Sequence, residues 1–341
     1  MFINKTKIST SVEPYIIAEF SGNHDGKIDN FIKLIDVAKK AGANAIKLQT
    51  FKPDKITIKS NKKYFRVKHE FKKWNNKTLY DLYKEAYTPW EWHEKLKKIA
   101  NKKNLDFIAT PFHESAVDFL VKLNVSCLKI SSFEFNDHNL IEYAANKKLP
   151  MILSSGMASK REIKINYNIV KKKLLSNFAI LKCSSNYPAK YEDLNLNTIH
   201  ELKKNLNCQI GYSDHTTDDV ASLVAISNGA SIIEKHISLN KSTGIDSNFS
   251  LTPNEFFKFV QNCKLAWKAL GKVRYGPTKS EKNSYKNRRS LFAIKDITIG
   301  DKFSSKNIAS VRPANGLSPT SLKNLIGKKS KKKFFCGDPI I

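Results

Sequence analysis

A chain of 341 residues with 41% hydrophobic side chains is long enough for one large domain or two ordinary ones, with apolar material to fill a core. It has no run near the roughly 18 consecutive apolar residues of a membrane span, and no basic start followed by a secretory apolar segment, so a soluble, cytoplasmic protein is expected. The net charge of +28 suggests nucleic acid or a membrane surface at first sight, yet only six of the 59 basic residues are arginine and the lysines are dispersed; a solvated lysine-rich surface, with neither nucleic acid nor membrane as partner, is the expectation.

In chain order, short apolar or β-branched runs fall at Tyr15–Phe20, Ala45–Thr50, Asp106–Phe112, Cys127–Glu134, Pro150–Gly156, Phe178–Pro188, Cys208–Thr216 and Ser231–Leu239. Amphipathic helical patterns separate them, among them Trp90–Lys103, Glu114–Leu123 and Asp218–Asn228, and Asn254–Leu270 follows the last. Eight strand-helix repeats predict a (β/α)8 TIM barrel over residues 1–271. A doubly wound open sheet ranks second, because the turn after the first run, Glu19-Phe-Ser-Gly-Asn-His24, lacks the glycine-rich phosphate signature. Residues 52–88 form a long, aromatic-bearing insertion after the second strand, where barrel loops shape the substrate mouth. Residues 272–289 lose periodicity and read as a linker, and residues 290–341 read as a small β-rich domain. Five widely spaced cysteines without a C-x-x-C pair argue against a disulfide framework or a zinc finger.

Chemistry in a barrel collects where the strands end. The ends supply Glu19; Lys47 and Gln49; Thr110; Lys129, Ser132 and Glu134; Ser154 and Ser155; Lys182, Ser184, Ser185 and Tyr187; Ser213, Asp214 and His215; and Glu234, Lys235 and His236. His215 and His236, on adjacent strand ends, suit a divalent transition ion. His69, His93, His113, His138 and His200 fall on loops or helices and read as structural. Two lysines in one mouth, Lys47 and Lys129, call for an anion such as a phosphate and carboxylate ligand, with serine hydroxyls as further donors. Glu134 and Glu19 then either handle protons or pair with those lysines.

The strings Ile17-Ala-Glu-Phe-Ser-Gly-Asn-His-Asp-Gly26, Lys129-Ile-Ser-Ser-Phe-Glu134, Ser154-Ser-Gly-Met157, Gly211-Tyr-Ser-Asp-His215, Glu234-Lys-His236 and Val311-Arg-Pro-Ala-Asn-Gly316 resemble the sialic acid synthase family, the phosphoenolpyruvate-dependent synthases of nonulosonic acids. The tail resembles that family's antifreeze-like (SAF) domain. Residues 76–93 and Gly271-Lys-Val-Arg-Tyr-Gly276 with Arg288-Arg-Ser-Leu291 resemble most its pseudaminic acid branch. One departure is Gly244-Ile-Asp246, where the family usually reads Gly-Pro-Asp.

The resemblance implies that phosphoenolpyruvate condenses with an open-chain N-acylated amino sugar, with a divalent ion, manganese first and magnesium or cobalt as alternatives, held by His215 and His236. It further implies that Lys47, Lys129, Ser132, Ser154, Ser184 and Ser213 hold phosphoenolpyruvate. Glu134 then serves as the base for the incoming water, and Glu19, Tyr187 and Asp246 lie toward the sugar. It also implies a domain-swapped homodimer in which Arg312 reaches the N-acyl group of the sugar in the other subunit. The same chemistry on the precursor of N-acetylneuraminic or legionaminic acid is the nearest rival.

Overall fold

The protein is seen in a computed structural model that describes residues 1–68 and 73–341, so His69 lies outside the described residues. These residues form two compact units, Met1–Gly271 and Lys272–Ile341. In the first, eight parallel strands close into a barrel: Tyr15–Glu19, Ala45–Thr50, Asp106–Pro111, Cys127–Ile130, Met151–Ser154, Phe178–Cys183, Gln209–Asp214 and Ile232–His236, the last pairing back onto the first. The strands read as near-continuous apolar runs because both faces are covered. One face meets the helical jacket, and the other fills the lumen with Ile17, Ala45, Ile108, Ile152, Ala179 and Leu181.

The jacket forms for local reasons. Helix Ile28–Ala41 buries Phe31, Leu34, Ile35 and Ala38, the spacing of one helical face, and stops at Gly42, whose φ of 86° suits a residue without a side chain. The last helix, Pro253–Leu270, starts on a capping box in which Thr252 and Glu255 satisfy each other's backbone N–H groups.

Several strands end earlier than the sequence runs suggest. Cys127–Glu134 is strand only to Ile130, because the residues beyond turn on themselves: the Phe133 N–H donates to Ser131 Oγ and the Asp137 N–H to the Glu134 carbonyl. Phe178–Pro188 is likewise strand only to Cys183. A small hairpin, Phe2–Ile3 with Thr6–Lys7, has no counterpart in the sequence reading. It packs Ile3 and Ile8 against Tyr15 and Ile17 and so covers the floor of the barrel, where the strands begin.

Three of the histidines away from the strand ends have structural surroundings. His113 caps the helix Glu114–Lys122 and His138 bonds Asn166. His93 is buried, with its Nε2 2.8 Å from Thr50 Oγ1, and burial pushes its pKa down to about 4. An unfolded imidazole titrates near 6.5, so between these values the unfolded chain holds the extra proton. The contribution of His93 to stability is therefore complete above about pH 6.5 and is lost toward pH 4, by about 3 kcal/mol. Urea unfolding at pH 7 and pH 4.5 should show a smaller acid-side loss in His93→Gln than in the wild type; an equal loss would contradict this.

In the second unit, Ser290–Ala293 pairs antiparallel with Ile308–Val311 over a core that includes Leu291, Ile297, Phe303, Ile308, Phe334 and Ile340. Residues 272–289 carry a single short helix, Lys282–Tyr285, among mainly exposed residues. No described helix is long and apolar enough to cross a membrane.

Candidate active site

Strand register decides which strand-end groups face one another. His236 is level with Glu19, Glu19 with Lys47, Glu234 with Ser213, and Ser213 with Cys183. Paired residues of parallel strands point to the same face, so these side chains share the lumen while Asp214 and Lys235 point outward into the jacket. The lumen opens at the carboxyl ends of the strands into a cavity of about 460 Å3.

Its base is an ion cluster. Lys47 Nζ lies 2.7 Å from Glu234 Oε1 and 3.4 Å from Glu19 Oε2, and Lys129 Nζ lies 3.4 Å from Glu234. All four groups are buried. Burial raises Glu19 to about 7, against the opposing pull of Lys47. Glu234 stays ionised because Lys129 and Lys47 outweigh its desolvation. Glu134 does not pair with either lysine; it accepts from the Ser131 hydroxyl, and burial raises its pKa.

Hydroxyls form the next layer. Ser132 and Ser185 meet at 2.8 Å, Ser213 Oγ donates to Glu234, and the buried Ser154 and Thr110 hydroxyls have no partner. Gly156 makes this convergence possible: a Cβ there would lie 2.3 Å from Ser185 Oγ and 2.9 Å from Ser132 Cβ. Ser184 corrects the sequence reading. Its carbonyl turns to His215 and it does not line the cavity, whereas Ser185 does, because successive side chains along an extended segment alternate in direction.

The two imidazoles stand side by side, ring centroids 5.4 Å apart. The Nδ1–H of His215 donates to the Ser184 carbonyl at 2.6 Å, which leaves the Nε2 lone pair on the other side of the ring. His236 Nδ1 is buried without a partner. Burial drives both pKa values down, that of His215 to about 4, so both rings are neutral. Behind them Lys235 Nζ sits 3.0 Å from Asp214 and donates to the carbonyls of Thr216 and Asp218, fastening the turn that carries His215. Tyr187 packs 4.4 Å from the His215 ring, and Asp246, buried, accepts from the Ser21 hydroxyl.

Neutral imidazoles with lone pairs to offer fit a divalent cation. No group of three or more histidine, cysteine or acidic side chains is poised to hold a metal among the described residues, so remaining ligands would come from water or substrate. Four carboxyls (Glu19, Glu134, Glu234, Asp246) and two ammonium groups (Lys47, Lys129) line the cavity; burial raises the pKa of Glu19, Glu134 and Asp246, whereas the lysines hold Glu234 ionised. Arg312 belongs to the second unit, just after the strand Ile308–Val311.

Residues 34–275 match the NeuB family. The chain belongs to that family. Residues 288–340 match the SAF domain, within the second unit. The chain is 40% identical over 336 residues to the pseudaminic acid synthase of Campylobacter jejuni, covering 97% of this chain and 96% of that one. It is 37% identical over 330 residues to the pseudaminic acid synthase of Helicobacter pylori, covering 96% of each. Among solved structures, the N-acetylneuraminic acid synthetase of Leptospira borgpetersenii in complex with citrate aligns with a TM-score of 0.74 at 35% identity, over 83% of this chain and 94% of that one. Each of the eight barrel strands contributes at least one residue to the lining of this one cavity. Glu234, Thr110, Gln49 and Ser185 are site residues to which sequence reasoning gave no role; their signal was only their place at strand ends.

Proposed function

We propose that this NeuB family enzyme is a carbon–carbon bond-forming transferase that condenses phosphoenolpyruvate with 2,4-diacetamido-2,4,6-trideoxy-β-L-altropyranose and water, giving pseudaminic acid and phosphate. One observation carries the reading: two buried ammonium groups, two unpartnered buried hydroxyls and two neutral imidazoles converge in a single cavity. The similarity to two pseudaminic acid synthases supports the choice of sugar.

In this reading Lys47 and Lys129, with Ser132, Ser154, Ser185 and Ser213, hold the carboxylate and phosphate of phosphoenolpyruvate. C3 of phosphoenolpyruvate bonds to the aldehyde carbon of the open-chain sugar, and the aldehyde oxygen becomes a hydroxyl. Glu19, which holds its proton up to about pH 7, donates it to that oxygen. Water bonds to C2 and gives up one proton to Glu134; the bond from C2 to the phosphate oxygen then breaks as the C2 hydroxyl passes its remaining proton to the departing phosphate, leaving a ketone and free phosphate. Tyr187 and Asp246 orient the sugar. His215 and His236 would hold a divalent ion, manganese first and magnesium or cobalt as alternatives, whose Lewis acidity polarises the aldehyde.

The reading includes a homodimer in which the partner's Arg312 approaches the N-acyl group, and a cytoplasmic location, which five free cysteines support. The test is phosphate release from phosphoenolpyruvate with manganese, comparing the altrose sugar, N-acetylmannosamine and the legionaminic precursor. Release is expected with the altrose sugar. Release with another sugar alone would move the protein to a different branch of the family, and release with none would overturn the synthase reading.

A further inference from the structure

The segment after the second strand contributes Ile56, Val67, Trp74, Leu79, Leu82 and Ala86 to the cavity wall. Phe51 and Tyr83 also line it; Tyr83 feels the charge of Glu134, so its hydroxyl end lies toward the polar base. The Trp74 indole N–H is already spent on the Ile245 carbonyl at 3.1 Å. Outward from the histidine pair stand aromatic rings: Phe249 lies 5.1 Å from His236, and Trp74 lies 6.1 Å from both Phe249 and Tyr187.

Contacts within the protein hold this wall in place. Lys73 Nζ donates to the carbonyls of Ser242 and Gly244 at 2.8 and 2.7 Å, tying the segment to the loop that carries Asp246. A Cβ at Gly22 would fall 2.5 Å from the Ile245 side chain, and one at Gly244 2.3 Å from the Asn23 backbone, so the parts interlock without spare room.

We propose that this compartment, with Ile56, Leu79, Leu82 and Trp74 as its wall, determines sugar specificity by receiving the deoxygenated C6 methyl of the substrate and rejecting a C6 hydroxyl. The inference rests on the synthase reading. With the aldehyde carbon at the histidine pair, C6 is the chain's far end and points away from the polar base. A methyl there loses only water, whereas a hydroxyl gives up its hydrogen bonds to water and, among the described residues Ile56, Leu79, Leu82 and Trp74, meets no free partner. Single-group discrimination of this type spans about 10–200-fold.

The experiment measures kcat/KM for 2,4-diacetamido-2,4,6-trideoxy-altrose and for its counterpart bearing a C6 hydroxyl. It uses the wild type, Leu79→Asn and Ile56→Asn. The wild type should prefer the deoxy sugar at least about tenfold, and at least one folded variant should lose most of that preference with its KM for phosphoenolpyruvate unchanged. Equal turnover of both sugars by the wild type, or full preference retained in both variants, would overturn the inference and leave the synthase reading standing. Phosphate release with neither sugar would instead bring down the synthase reading itself.

Discussion

Replacing Glu234 with glutamine is expected to lower stability by about 3 kcal/mol, and to make the protein respond more strongly to phosphoenolpyruvate. The carboxylate is the shared counter-ion of Lys47 and Lys129, and all three groups are buried. Without its charge, Lys129 keeps no partner within ion-pair distance among the described residues, and Lys47 keeps among them only the longer contact to Glu19. Taking away one member of a buried ion cluster costs far more than the cluster contributes, because the desolvation of the others is no longer offset. An incoming phosphate and carboxylate supplies that missing charge, so ligand-induced stabilisation should exceed that of the wild type. Urea unfolding with and without phosphoenolpyruvate reads both effects. A variant as stable as the wild type, with no larger ligand shift, would show that the lysines are not the anion site.

The second large effect is expected at the imidazoles. His215→Ala and His236→Ala should each lower kcat/KM about a thousandfold, the worth of several kcal/mol of charge stabilisation at the aldehyde. Manganese content should fall in step, while affinity for phosphoenolpyruvate should change far less, because the lysines and hydroxyls remain. Chelation of the wild type should silence it and manganese should restore it. Activity surviving in either variant would mean that the two neutral rings, 5.4 Å apart, serve packing alone.

Much of this was legible in the residues because a barrel repeats one rule eight times. Apolar runs at regular intervals gave the strands, and polar residues at their ends gave Lys47, Lys129, Ser154, His215 and His236, all of which line the cavity or its base. What stayed hidden depends on register. In Glu234-Lys-His236 nothing local says that the glutamate faces the lysines while Lys235 turns outward to Asp214; pairing of Glu234 with Ser213 across the strands decides it. The choice of Ser185 over Ser184 turns on the direction of a single residue past a strand end. The bonds from Lys73 and Trp74 to residues 242–245 join segments far apart in sequence, and the short hairpin at the start of the chain has too few residues for a periodic signal.

The central claim is that one cavity holds both the anion and the cation. A crystal structure of the protein grown with manganese and phosphoenolpyruvate tests it most directly. The account predicts an anomalous peak between the His215 and His236 rings and phosphoenolpyruvate density against Lys47, Lys129 and Ser154. Manganese bound away from the two histidines, or phosphoenolpyruvate bound away from the two lysines, would contradict it.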